Sequence, residues 1–186
     1  MSEIHSTSTA VPEKSSRHFL SADADINSWE SLKPFYDQLL SRPLENTVEL
    51  KKWLSDLSEL DAVVSEHVGW LYIRMTCNTQ DKSASDAYTN FVSEIQPRIA
   101  EYDDEFNRKL LSCEFRKELS SGYQIYLASI QNQVRIFRKE NIPLIAELTV
   151  REQKYGEIAG DMTVDVLGKT LTLQQAANYL RQQDRS

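Results

Sequence analysis

One apolar stripe constrains the fold of this 186-residue chain more than any other feature, because its members recur in steps of three and four residues. The stripe consists of Leu50, Trp53, Leu57, Leu60, Val64, His67 and Leu71. This spacing places all of them on one side of an α-helix for about three heptads. Asn46 and Glu49 supply the spacing of a helix N-cap, and no proline or glycine intervenes before Gly69. The pattern predicts one long helix, or two collinear pieces, that ends near Cys77.

Four further segments have the helical period. The first should open near Asn27 or Ser31 and stop at Arg42, because a residue that precedes proline is pushed away from helical angles. The second of these segments, which follows the stripe, should begin after Asp81 or Ser83 and bend at Pro97. A short helical piece over 114–119 should precede two more helices, with apolar positions at Tyr126, Ile130, Val134 and Phe137, and at Leu144, Leu148, Tyr155 and Ile158. Short connections favour antiparallel neighbours.

The period changes from 3.6 to 2 near the end of the chain. Residues 162–173 alternate apolar and polar side chains, and 165–168 has the Asp and Gly of a type I turn, with a bulge expected at Gly168. Thr172 and Gln175 then have the spacing of a capping box for a short last helix. The predicted fold is mainly α, an antiparallel bundle of long helices with one small β-hairpin near the C-terminus.

The first 26 residues lack a sustained period. Their polar composition predicts a disordered tail over 1–26, since it cannot bury enough apolar surface to offset the entropy of ordering. Phe19 and Leu20 are the residues through which part of the tail could dock. The helical domain, with its hairpin and short helix, should then occupy 27–186.

The charge balance excludes several classes of partner. The net charge is −7, with 28 acidic and 21 basic residues, so the chain lacks the basic surface that binds nucleic acid or anionic lipid. No apolar run approaches the ~20 residues of a membrane span. The N-terminus has no signal-peptide pattern, which indicates a cytoplasmic protein. Cys77 and Cys113 are expected to be buried, reduced thiols.

A search for catalytic, cofactor-binding or metal-binding residues predicts none. His5 and His18 lie in the tail, and His67 occupies a core-facing position of the stripe. The chain has no H-E-x-x-H, no glycine-rich phosphate loop and no nucleophile elbow. The acidic run 101–105 is interpreted as a solvated helix face, and the basic residues of 135–139 as partners of a helix C-terminus.

Five segments together resemble the N-terminal region of the oligoendopeptidase F family, which are zinc metallopeptidases related to thimet oligopeptidase. The segments are WLYIRMTCNT (70–79), NRKLL (107–111), FRKENIPL (137–144), YGEIAGDMTV (155–164) and GKTLTLQQAA (168–177). None is a catalytic signature alone. In this order and spacing, the resemblance extends from about Trp29 to Ser186.

The resemblance implies an N-terminal domain that forms one wall of a channel for short peptides. Family members are much longer and hold zinc through an H-E-x-x-H helix and a later glutamate, both downstream of the region matched. No residue of this chain matches a zinc ligand or the general base. We therefore expect the chain alone to be inactive and to bind no zinc, while the parent enzyme would contain zinc and a C-terminal catalytic domain as partner.

Two alternatives stay open, the weaker of which is a regulatory paralogue that has lost its active site. The chain could instead be a self-contained helical interaction module that dimerises through the 50–71 stripe, since such a stripe also suits an intermolecular coiled coil. The last three residues resemble the approach to another helix N-cap, so we expect the sequence to be the front part of something longer. Apolar surface near the hairpin should then be exposed and promote a homodimer.

Overall fold

The computed structural model describes residues 17–21, 23–78 and 81–181. It confirms a mainly helical fold with one small antiparallel hairpin near the C-terminus. The helices are α1 (Trp29–Ser41), α2 (Thr47–Cys77), α3 (Lys82–Asn90), α4 (Gln96–Ser112), α5 (Gln124–Ile136), α6 (Asn141–Asp161) and α7 (Leu173–Ala176), and the strands are β1 (Thr163–Val166) and β2 (Lys169–Thr172). Short 3₁₀ segments cover Glu114–Glu118, Ser121–Tyr123 and Tyr179–Arg181. Among the described helices, none is both long and apolar enough to cross a bilayer.

The start of α2 follows the sequence signal. The Asn46 side chain accepts a hydrogen bond from the Glu49 amide at 2.9 Å, as an N-cap should. In α1 the cap is Ser28, which forms a capping box with Ser31, one residue from the predicted Asn27. The helix ends at Arg42, before a proline, as predicted.

The stripe of α2 forms the centre of the hydrophobic core. Leu50, Trp53 and Leu60 are completely buried, and they pack with residues of α1 and α4. His67 and Leu71, at the far end of the stripe, are only half-buried. Because the central positions are already covered inside one chain, the stripe is not free to form an intermolecular coiled coil.

A lysine from α4 closes the C-terminal end of α1. The ammonium group of Lys109 donates to the carbonyls of Leu39, Leu40 and Arg42 at 3.0, 2.7 and 2.5 Å. The indole of Trp53 also donates to the Leu39 carbonyl at 2.9 Å, and the Lys109 ammonium lies 5.6 Å from the centre of that ring. These contacts satisfy carbonyls that a helix end leaves without intrahelical partners.

A π-helical segment (Phe91–Ile95) connects α3 to α4 immediately before Pro97. Proline removes one backbone donor and would clash with a regular preceding turn, and the wider turn accommodates it. Phe91, Val92 and Ile95 are all buried. The predicted bend at Pro97 is therefore a change of helical register just before it.

The apolar positions predicted for α6 face outward. Leu144, Leu148, Tyr155 and Ile158 are 55–75% exposed. The helix instead contacts α3 through polar side chains, since Gln153 donates to Ser85 at 2.8 Å and Ser85 donates to Glu157 at 2.7 Å. Residues 141–143, predicted as a break, form the first turn of α6, where proline is tolerated.

The turn of the hairpin is shorter than the sequence predicts. Val166 pairs directly with Lys169, which leaves a two-residue turn whose φ angles are positive, 51° at Leu167 and 76° at Gly168. Positive φ at both central positions is typical of a type I′ turn, so the predicted type I turn with a bulge is wrong. The capping box of Thr172 and Gln175 is present as predicted.

The segment before α1 is tied to α2. Glu59 accepts backbone hydrogen bonds from His18, Phe19 and Leu20 at 2.9, 3.0 and 2.8 Å. Leu20 is buried in the core, and Phe19 packs against it. The predicted tail therefore contributes its last part to the fold, whereas residues 1–16 lie outside the described residues and their disorder stays a prediction.

Candidate functional site

An apolar cavity lies where α4 meets the end of α5 and the first turns of α6. Its volume is about 450 Å³. Its apolar wall is formed by Val92, Pro97, Ala100, Ile136, Phe137, Ile142 and Ile145. A second cavity of about 700 Å³ shares Pro97, Ile142 and Ala146 with it and opens on the other side of the contact between α4 and α6.

Two carboxylates of α4 lie in the wall of the smaller cavity. Asp103 and Asp104 are half-buried, whereas Glu101 and Glu105 of the same run are exposed. The predicted solvated face is therefore wrong for the two aspartates. Asp104 pairs with Arg108 at 2.7 Å, and its second carboxyl oxygen is buried without a hydrogen-bond partner among the described residues.

The charge of a carboxylate on another helix also affects Asp103. Burial, and then the charge of Asp61 on α2, raise the pKa of Asp103 to about 7. Desolvation by the surrounding protein also raises the pKa of Asp61 to about 6, although this residue is exposed to solvent. The sequence gives no direct sign of this pair, since its members are 42 positions apart and belong to different helices.

Two tyrosines complete the cluster. Tyr36 of α1 is fully buried, and its hydroxyl has no hydrogen-bond partner within the described part of the chain. Burial, and then the charges of Asp103 and Asp61, raise the pKa of Tyr36 well above its usual range. The pKa of Tyr126 on α5 is raised by burial and then by the same two carboxylates. Side chains of four helices thus share one electrostatic environment, which we call the acidic cluster: Tyr36, Asp61, Asp103 and Tyr126.

The acidic pair predicts an unusual dependence of stability on pH. The two carboxyls have higher pKa values in the folded chain than the ~3.9 of an unfolded aspartate, so the folded state binds more protons. Their stabilising contribution is complete below about pH 4 and is lost as the pH rises through 6 and 7. We expect Asp103→Asn to raise the free energy of unfolding by about 2 kcal/mol at pH 8, after allowance for screening at Asp61.

Urea unfolding at pH 8 and at pH 4 measures this effect. The variant and the parent chain should differ much less at pH 4, where both aspartates are protonated in the folded chain and about half protonated in the unfolded one. Glu105→Gln, an exposed position on the same helix, is the matched control and should change the stability little at either pH. An equal effect of Asp103→Asn at the two pH values would contradict the assigned pair.

The other residues singled out in the sequence lie apart from this cluster. His67 is half-buried with its ring 5.6 Å from that of Phe91, and burial lowers its pKa. Arg138 donates to the carbonyls of Arg135 and Phe137, which confirms its predicted role at a helix C-terminus. Cys77 is exposed, so the prediction that both thiols are buried is wrong, since this thiol lies at the C-terminal residue of α2.

The described residues contain no group of three or more His, Cys, Asp or Glu side chains arranged to hold a metal ion. His5 lies outside them. The expectation that the chain carries no catalytic, cofactor-binding or metal-binding residue stays a prediction.

Comparison with known protein families identifies a match for this chain. A family model described as the peptidase M3 N-terminal domain matches residues 19–137. The matched region begins at the segment held by Glu59 and ends with α5, so it includes the whole acidic cluster. No curated protein and no solved structure matches the chain significantly.

Proposed function

The chain belongs to the family of peptidase M3 N-terminal domains, and from this we propose that it is the channel-wall domain of a zinc-dependent oligopeptidase that hydrolyses short peptides. Within that family we assign it to the oligoendopeptidase F branch, on the five segments quoted above. The proposal also includes a cytoplasmic location. It further states that the catalytic centre lies outside these 186 residues and that a C-terminal catalytic domain is the principal partner.

The observation that carries this proposal is an exposed apolar surface, formed by residues C-terminal to the region that the family model matches. Its members are Leu144, Ile145, Leu148, Tyr155, Ile158, Met162, Leu167, Leu173 and Leu180, each 45–86% exposed. They occupy α6, the hairpin and the residues that follow it. Leu144, Leu148, Tyr155 and Ile158 recur at helical spacing and so share one side of α6, and an exposed apolar side of this kind is typical of a face that another domain covers. An isolated two-stranded hairpin is also marginal in water, so a packing partner would stabilise it.

The two domains would have different roles in the proposed enzyme. Zinc, when bound by the catalytic domain, would polarise the scissile carbonyl and activate a water molecule. The chain described here would confine the peptide and exclude folded proteins. Its own residues would supply a rigid wall, built on the core of α1, α2 and α4.

Hydrolysis of quenched fluorescent peptides by the purified chain, with and without zinc, tests this assignment. We expect no zinc-dependent cleavage and substoichiometric zinc by elemental analysis. Zinc-dependent cleavage by these 186 residues would contradict it. The reading frame beyond Ser186 is the second test, since an H-E-x-x-H there supports the proposal, whereas a stop codon favours the interaction module.

The role of the exposed surface can be tested by measuring the self-association of the isolated chain. We propose that the chain forms a homodimer at high concentration through this surface, and sedimentation velocity over a wide concentration range would detect it. The double variant Leu148→Asp and Tyr155→Asp should abolish association without loss of fold, because both side chains are largely exposed. Lys117→Asp, at an exposed position outside this surface, is a control with the same change of charge. A strict monomer at all concentrations would count against the homodimer.

A further inference from the structure

The cavity of about 450 Å³ between α4, α5 and α6 has charged groups of both signs in its wall. Asp103 and Asp104 lie on α4, and Arg138 lies in the connection between α5 and α6. Asp104 already pairs with Arg108 at 2.7 Å. Neither Asp103 nor Arg138 forms an ion pair with any residue that the structure describes, and no ion pair joins the two. The wall of this cavity therefore presents one carboxylate and one guanidinium whose charges are not balanced by a neighbour.

Arg138 is held in position and still has hydrogen-bond donors to offer. One of its terminal nitrogens donates to the carbonyls of Arg135 and Phe137, at 3.0 and 2.6 Å. These two bonds tie the guanidinium to the C-terminal end of α5. A guanidinium has five N–H donors, and the remaining ones have no acceptor within the described part of the chain. They are therefore available to an acceptor that a ligand supplies.

The rest of the wall is largely apolar. Val92 and Ile142 are buried, whereas Ile136 is 68% exposed, so part of the apolar wall is open to solvent. The amides of Asn107 and Gln133 also line the cavity, and they bond to each other at 3.2 Å. A cleft of a few hundred Å³ with an apolar wall and a few polar groups is typical of a small-molecule site. Its volume suits a ligand of the size of a dipeptide and excludes a folded domain.

We propose that this cavity binds an apolar dipeptide with free termini, whose α-ammonium group pairs with Asp103 and whose α-carboxylate pairs with Arg138. A zwitterion gives both charged groups a partner at once, whereas a simple cation or anion leaves one of them without. A guanidinium also suits a carboxylate because it can donate two parallel hydrogen bonds to it. The apolar side chains of the dipeptide would cover Ile136 and the wall beside it, which removes apolar surface from water.

The choice of a dipeptide rests on the proposed function, because an enzyme that hydrolyses short peptides releases still shorter ones with free termini. The inference deepens that function, since it assigns a product-binding site to the channel-wall domain. Its test measures binding without any cleavage step. A failure of the hydrolysis assay and a failure of this site are therefore separate results.

Calorimetric titration of the 186-residue chain with leucyl-leucine tests the site, in a concentration range where the chain is monomeric. At about pH 7.5 both partners are mostly ionised, since the pKa of Asp103 is about 7 and that of an α-amino group is about 8. N-acetyl-leucyl-leucine and leucyl-leucine amide, each with one charge removed, are the matched probes at the same ionic strength. We expect both to bind at least about tenfold more weakly than leucyl-leucine. No binding of leucyl-leucine at millimolar concentration would overturn the proposal.

Variants assign each charge of the dipeptide to its residue. Asp103→Asn should weaken the binding of leucyl-leucine about tenfold but leave that of the acetylated peptide unchanged, because the acetylated peptide has no ammonium group. Arg138→Gln should weaken leucyl-leucine binding by a similar factor and leave that of the amide unchanged. Glu105→Gln and Arg135→Gln, at exposed positions outside the cavity, are the controls and should keep full binding. Circular dichroism checks the fold of each variant. Full binding by Asp103→Asn or by Arg138→Gln, or equal binding of the three peptides, would contradict the assignment.

Discussion

Replacement of Trp53 by alanine should lower the free energy of unfolding by about 4 kcal/mol, close to what a domain of this size has available. The side chain is completely buried in the centre of the α2 stripe. Its ring packs edge-on against Phe106 of α4 at 5.9 Å, and its indole N–H donates to the Leu39 carbonyl of α1. The substitution therefore opens a cavity between three helices and also leaves a buried carbonyl with one donor fewer.

Urea unfolding, followed by circular dichroism, measures this loss. Trp70→Ala on the same helix is the matched control, because Trp70 is 53% exposed and should cost far less. If the two tryptophans proved equally important, the assignment of Trp53 to the centre of the core would be wrong.

Replacement of Lys109 by methionine should destabilise the chain by about 3 kcal/mol. Methionine keeps much of the aliphatic stem but removes the ammonium group that contacts three carbonyls at the end of α1. Burial lowers the pKa of Lys109, with a smaller contribution from Arg42, so the charge is held at a cost that these carbonyls and the ring of Trp53 offset. Thermal and urea unfolding of the variant check the prediction.

Lys117→Met is the control for Lys109, because Lys117 is exposed in a 3₁₀ segment. Its substitution should change the stability by less than about 0.5 kcal/mol. The effects of Trp53→Ala and Lys109→Met should add incompletely, since both side chains contact the same carbonyl. Full additivity would show that the two contacts are independent.

The parts of the fold that depend on local signals were predictable. Asn46 caps α2, Thr172 caps α7, and the stripe from Leu50 to Val64 is buried, because caps and heptads are encoded by residues within a few positions of each other. The end of α1 just before Pro43 is also determined by local sequence. These features needed no knowledge of which helices meet.

The parts that depend on distant contacts were not predictable. The apolar positions of α6 suggest a buried face, but Ser85 and Gln153 bind each other and direct that face outward. The sequence pattern around Asp103 and Asp104 predicts a solvated helix face. In the structure both residues are half-buried, because α5 and α6 pack against α4. The hairpin turn was missed because Leu167 adopts a positive φ, which a leucine seldom does. Helical periodicity indicates that a face exists but does not say what covers it.

The three amide contacts of Glu59 have a consequence for where the folded unit begins. A shorter version that started at α1 would lack Leu20. The carboxylate of Glu59 would then lie beside the space in the hydrophobic core that Leu20 fills. The folded unit therefore includes an irregular stretch of backbone before α1 that the carboxylate of Glu59 holds, and a boundary placed at the start of α1 would remove part of the core.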